Sequence, residues 1–122
     1  MFDHITLKVR DFKKAAAFYK AALAPLGYVE QYLDETAKSV GYGPKGEVGL
    51  WLAVGSTQAG PVHMAFKSPS QAAVGAFYEA GAAAGGTDNG KPGLRPDYSK
   101  DYYAAFLLDP DGNNIEAVTF GK

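Results

Sequence analysis

The chain contains no cysteine, which excludes disulfides, thiolate metal sites and a cysteine nucleophile and fits a reducing compartment. It also lacks a charge bias. The formal net charge of −1 gives no pull toward nucleic acid or an anionic membrane surface. No apolar run is long enough to span a bilayer. The start, MFDHITLKV, is charged from its third residue and alternates like a strand, so it does not read as a signal peptide. A soluble, cytoplasmic protein is expected. Two catalytic templates are missing as well. Gly41, Tyr42 and Gly43 run into Pro44 rather than a helix, so no phosphate loop follows a strand. No serine lies in a nucleophile elbow.

What is present is enough for a core. The chain has 122 residues, 47% of them hydrophobic, which suits one domain spanning 1–122. Residues 4–9 alternate, with His4, Thr6 and Lys8 on one face and Ile5, Leu7 and Val9 on the other, which predicts a half-buried strand. Asp11 is placed to cap a helix through FKKAAAFYKAALA, and Pro25 and Gly27 end it. Strands are predicted at 28–33, 38–42 and 48–54, separated by turns at 34–35 and 43–46.

The pattern then restarts. An offset of 59 residues carries His4 onto His63, Lys8 onto Lys67, and Ala17, Phe18 and Tyr19 onto Ala76, Phe77 and Tyr78 without a gap. A rare residue and a tripeptide both match, which points to an internal duplication with modules at about 1–56 and 60–122. In the second module, 88–98 is rich in glycine and proline and reads as a loop. Residues 102–108 and 114–120 form a hairpin around 110–113. Two βαβββ halves cannot each bury a helix and a sheet face alone. The expected fold is α+β: two βαβββ modules forming a curved mixed sheet around a concave cavity, with the helices outside. Such concavities favour ligands.

Chemistry is confined to few residues. His4 and His63, the only histidines, hold matching positions at the start of the two duplicated strands. Glu116 sits in DPDGNNIEAV, between Ile115 and Ala117 of a strand, with no basic neighbour to explain it. Two imidazoles and one carboxylate with open positions suit a divalent first-row metal. The plain alternative is a pair of hydrogen-bonded structural histidines and a solvated edge glutamate. Asp109 and Asp111 read as turn chemistry. Trp51 shares a face with Ala53, opposite Leu50 and Leu52, as a core filler or as an apolar wall for an organic ligand. The segment GKPGLRPDYSKDYY offers Arg95, Tyr98, Tyr102 and Tyr103 to an anionic or aromatic substrate, or else covers a sheet edge. An odd-length hairpin turn puts Tyr102 and Phe106 on the face of Glu116; otherwise Tyr103 takes that face.

The stretches DHITLKVRDFKKAAAFY, VHMAF and DPDGNNIEAV resemble the vicinal oxygen chelate superfamily, which includes glyoxalase I, bleomycin- and fosfomycin-resistance proteins and extradiol dioxygenases. The resemblance covers essentially the whole chain. It implies paired βαβββ modules, commonly in a homodimer that builds its site from modules of one or both chains. It implies metal ligands at His4, His63 and Glu116, the metal being zinc, nickel, manganese or iron. It also implies that Glu116 carries protons in a glyoxalase-like, lactoylglutathione lyase-type reaction on a small organic substrate, through bidentate oxygen chelation and enediolate-type stabilisation. Trp51, Arg95, Tyr98, Tyr102 and Phe106 are the candidate substrate contacts.

Two positions depart from these relatives. Trp51 stands where glyoxalase I has its second metal ligand, a glutamate on the fourth strand, and an indole N–H binds no metal. Phe106 stands where the extradiol dioxygenases have a tyrosine. The alternative function is a non-catalytic, bleomycin-resistance-like binding protein, for which an acidic groove would be expected.

Overall fold

The computed structural model describes residues 1–55 and 60–121. Strand β1 (Ile5–Val9) leads into helix α1 (Phe12–Leu23). The Asp11 side chain caps that helix by accepting from the Lys14 backbone N–H at 3.1 Å, a contribution of about 1 kcal/mol. A 3-10 turn, Ala24–Leu26, follows Leu23 and contains Pro25. Gly27, at φ +90°, then turns the chain in the left-handed region that only glycine enters freely. Strands β2 (Val29–Asp34), β3 (Ser39–Gly43) and β4 (Leu50–Val54) complete the first module.

The second module repeats the order with β5 (His63–Lys67), α2 (Gln71–Ala83), β6 (Thr87–Leu94), β7 (Tyr103–Leu108) and β8 (Asn114–Thr119). The duplication extends to topology. The first sheet runs β1-β4-β3-β2 and the second β5-β8-β7-β6, with the first and last strands of each module parallel. Strand β1, which His4 immediately precedes, and β5, which His63 opens, therefore both lie at sheet edges. The fold is the expected α+β duplication of two βαβββ modules.

Segment 88–98, expected to be a loop, instead holds most of β6. Its glycines and Pro92 suppress local strand propensity, but tertiary pairing with β7 overrides it. The ladder breaks register between Asp88 and Gly90 and again between Gly90 and Gly93, so Pro92 sits at a bulge on an edge strand, where its missing N–H costs little.

Each sheet buries one face under its own helix, and the two helices pack together in a shared core. Leu7, Val9, Val40, Tyr42, Leu50 and Leu52 supply the first sheet's share. Ala105, Leu107, Ile115 and Ala117 supply the second's. Gly81 marks the crossing of the helices. A Cβ there would lie 2.5 Å from Leu107 Cδ1 and 3.2 Å from the Ala22 Cβ.

Polar groups tie the modules as well. Tyr28 donates to the Lys67 carbonyl at 2.8 Å, and Tyr19 donates to Asp109 at 2.5 Å. Burial is the main cause pushing the Tyr19 phenol well above its ordinary pKa, with the Asp109 carboxylate adding to it. The other face of each sheet lies away from this core. Among the described residues, no helix is long and apolar enough to cross a membrane.

Candidate functional site

Alternation in β8 sends Ile115 and Ala117 into the core and Glu116 to the opposite face. Glu116 is nonetheless only 1% exposed, which rules out a solvated edge glutamate. Its carboxylate has two partners. His63 Nε2 lies 3.0 Å from Oε1, and the Tyr102 hydroxyl donates a short hydrogen bond to Oε2. Removal from water, and then this bond to Glu116, push the Tyr102 phenol up to about 12. The β7–β8 register pairs Phe106 with Glu116, so Phe106 and Tyr102 take this face and Tyr103 the other.

The imidazole is held by backbone. The parallel register sets His63 beside Asn114, whose carbonyl oxygen is 3.0 Å from Nδ1. A carbonyl only accepts, so Nδ1 carries a proton and donates it. In a neutral ring Nε2 is then a bare lone pair, and it faces a buried carboxylate. Two acceptors at 3.0 Å repel unless a positive charge joins them, either a proton or a metal ion.

The donor chemistry fits a metal. An N–H to a backbone carbonyl is the usual outer support of a ligating histidine. Two adjacent donors, each about 2.1 Å from one ion at a right angle, are themselves about 3 Å apart. Among the described residues, no group of three histidine or carboxylate side chains is placed to hold a metal. His4 precedes β1 in the other sheet, where its Nδ1 lies 2.6 Å from Asp3 Oδ1.

The remaining candidates divide the same way. His63 stacks on Phe106 with centroids 6.2 Å apart, and Arg95 Cζ lies 5.3 Å from the same ring's centroid. Tyr98 meets Tyr102 edge to face at 5.0 Å. Arg95, Tyr98, Tyr102 and Phe106 are thus gathered around His63 and Glu116. Trp51 is on the first sheet. It meets Tyr32 at 5.5 Å, in register with Gly41, where a Cβ would come 3.0 Å from the indole.

Register explains the asymmetry between the modules. Trp51 pairs with Thr6, and Glu116 pairs with Ala65, which is Thr6 shifted by the 59-residue offset. Trp51 therefore occupies in module one the place that Glu116 holds in module two. Each module has a histidine, but only the second has the carboxylate.

Sequence reasoning passed over Asn114, because a backbone carbonyl leaves no residue-type signal. The parallel pairing that sets Ala65 beside Glu116 is what sets His63 beside Asn114. Asp109, read as turn chemistry, does bind turn amides, but it also accepts from Tyr19. A cleft of about 550 Å³ lined by Arg10, Phe12 and Glu35 contains none of the site residues.

Residues 4–118 match the family model of a glyoxalase-like domain. The chain is similar to the crystal structure of a glyoxalase/bleomycin resistance protein from Albidiferax ferrireducens T118. The two are 30% identical over 97% of this chain and 98% of that one, with a TM-score of 0.81. A glyoxalase-related enzyme from Fulvimarina pelagi is 20% identical over 97% and 86% of the two chains, with a TM-score of 0.73. The fosfomycin resistance protein FosX from Mesorhizobium loti is 20% identical over 98% and 91%, with a TM-score of 0.68. At that identity these two share the fold alone. No curated protein matches the chain.

Proposed function

Since the chain belongs to the glyoxalase-like domain family, within the vicinal oxygen chelate superfamily, we propose that it is a divalent-metal-dependent enzyme acting on a small organic substrate. The observation that carries this reading is the His63 Nε2 lying 3.0 Å from the buried Glu116 carboxylate. The ligands are His63 and Glu116 of one copy and His4 of a second copy.

Three features support assembly from two copies. Each chain has two open sheet faces, and among the described residues only the second sets a histidine against a buried carboxylate. Both histidine strands lie at free sheet edges. Exposed apolar side chains, including Tyr32 and Ile5, remain on the first module. A homodimer related by two-fold symmetry would complete two equivalent centres.

A divalent ion so held would supply Lewis-acid polarisation of adjacent substrate oxygens. The protein's own groups do the rest. The Asn114 carbonyl fixes the tautomer and orientation of His63. Glu116 takes and returns the substrate proton, and Tyr102 steadies its second oxygen. Phe106 and Tyr102 keep water from the carboxylate, while Trp51 of the second copy forms an apolar wall.

Elemental analysis of chelator-free protein tests this reading. Wild-type protein is expected to hold about one ion per chain after exposure to zinc, nickel, manganese or ferrous iron. His4→Ala and His63→Ala are each expected to lose it. A wild type that takes up none of the four ions would leave a ligand-binding protein without metal chemistry.

A further inference from the structure

Strand β6 bulges around one guanidinium. Arg95 Nη1 donates to the Gly93 carbonyl at 2.9 Å, and Nη2 donates to the Lys91 carbonyl at 2.6 Å. Glycines make the room. A Cβ at Gly90 would come 3.2 Å from Nη2 and 2.9 Å from Phe106 Cδ1, and one at Gly93 would come 3.2 Å from Nη1. Carbonyls orient a cation without neutralising it. Among the described residues, no carboxylate pairs with Arg95. A guanidinium has five N–H groups, and the hydrogen bonds here use only Nη1 and Nη2.

Beside it lies an open cavity of about 280 Å³ lined by Asn89, Gly90, Arg95, Tyr98, Phe106 and Asn114. The lining has two amides, a phenol and the guanidinium, and no acid. Asn89 Nδ2 donates to Asn114 Oδ1 at 3.2 Å, joining the two amides across the cavity rim. The cavity adjoins the His63 centre at two points. Asn114 accepts from His63, and Phe106 stacks on it.

We propose that this cavity binds the anionic end of the substrate, an oxyanion of carboxylate or phosphoryl type held by Arg95, while the substrate's other end reaches the carboxylate of Glu116 past Phe106. As a substrate subsite this rests on the metal-enzyme reading, but anion binding itself does not need the metal. An oriented guanidinium with unused donors matches the geometry of an oxyanion. The substrate is therefore negatively charged, unlike the cationic drug that an acidic groove would take.

The test uses full-length protein stripped of metal by chelator, titrated with benzoate and, separately, with inorganic phosphate, and followed by amide NMR. Saturable binding of at least one probe is expected, with shifts at Asn89, Arg95 and Asn114. Arg95→Gln should weaken it about tenfold or more, and Arg95→Lys less. Metal uptake by Arg95→Gln should match wild type, which separates this proposal from the metal reading. If Arg95→Gln loses its fold, Asn89→Asp provides the second arm; its added negative charge should weaken either anion severalfold. Benzoate alone saturating identifies a carboxylate subsite, and phosphate alone a phosphoryl one. Failure of both probes to saturate, or equal affinity in wild type and a folded Arg95→Gln, would overturn the proposal.

Discussion

Glu116→Gln is expected to abolish metal uptake and turnover while leaving the protein as stable as wild type or more so. Glutamine keeps the shape of the side chain and removes the charge. Its amide N–H can donate to Nε2 of a neutral His63 ring, and its oxygen can still accept from Tyr102. Every buried polar group then has a partner, and the cost of a carboxylate only 1% exposed is gone. Replacing a buried charge by a satisfied neutral group is neutral or stabilising, here by about 1 kcal/mol. Metal affinity should fall by more than the roughly 10–100-fold that follows loss of an outer-shell partner. Calorimetric unfolding and metal titration on the same preparation read both signs. A variant that still bound metal at full stoichiometry would remove Glu116 from the site.

Asp109→Ala should be the most destabilising single substitution outside the apolar core. The side chain is 4% exposed and accepts four hydrogen bonds. They come from the Tyr19 hydroxyl, the Asn113 side-chain amide, and the backbone N–H groups of Asp111 and Asn113. Tyr19 is fully buried on α1, so this carboxylate joins the first module's helix to the second module's last turn. Asn113 continues the link by accepting from the Val62 N–H at 2.9 Å, just before β5. Alanine leaves buried donors without this acceptor, at about 1–3 kcal/mol each, although the turn can relax. A net loss of about 3–5 kcal/mol follows, or a fall in Tm of about 10–20 °C for a chain of this length. Asp109→Asn should lose less, because it keeps an acceptor oxygen. A thermal melt of Asp109→Ala within a few degrees of wild type would show that the turn, rather than the inter-module link, is all that Asp109 supports.

Most of the fold was legible because its signals are local or repeated. The alternation of Leu7 and Val9, the Asp11 cap and the Gly27 stop each dictate local backbone, and each stands where expected. The repeat then transferred that reading to the second module, where β5 and α2 follow in the same order. Strand β6 was illegible for the opposite reason. Its residues disfavour a strand, and only the partner β7, with bulges at Gly90 and Gly93, makes it one.

The site was partly legible. Of the residues the structure brings together, His63 and Glu116 were singled out by the duplication and by the unexplained carboxylate, but the choice between Tyr102 and Tyr103 needed the Phe106–Glu116 register. The grip of Lys91 and Gly93 carbonyls on Arg95 is made by backbone, which residue types do not announce. Nor could alternation show that the two histidine faces belong to separate sheets within one chain.

That separation makes the central claim directly testable by complementation. His4→Ala and Glu116→Gln are purified apart, mixed in equal amounts, dissociated, reassembled and assayed for bound metal. If His4 serves the centre of a second copy, neither variant alone holds metal. Half of the reassembled dimers are mixed, and each mixed dimer contains one intact centre, so metal returns to about a quarter of the wild-type level. A mixture as empty as its parents, or a His4→Ala protein that keeps its metal alone, would contradict a centre shared between two chains.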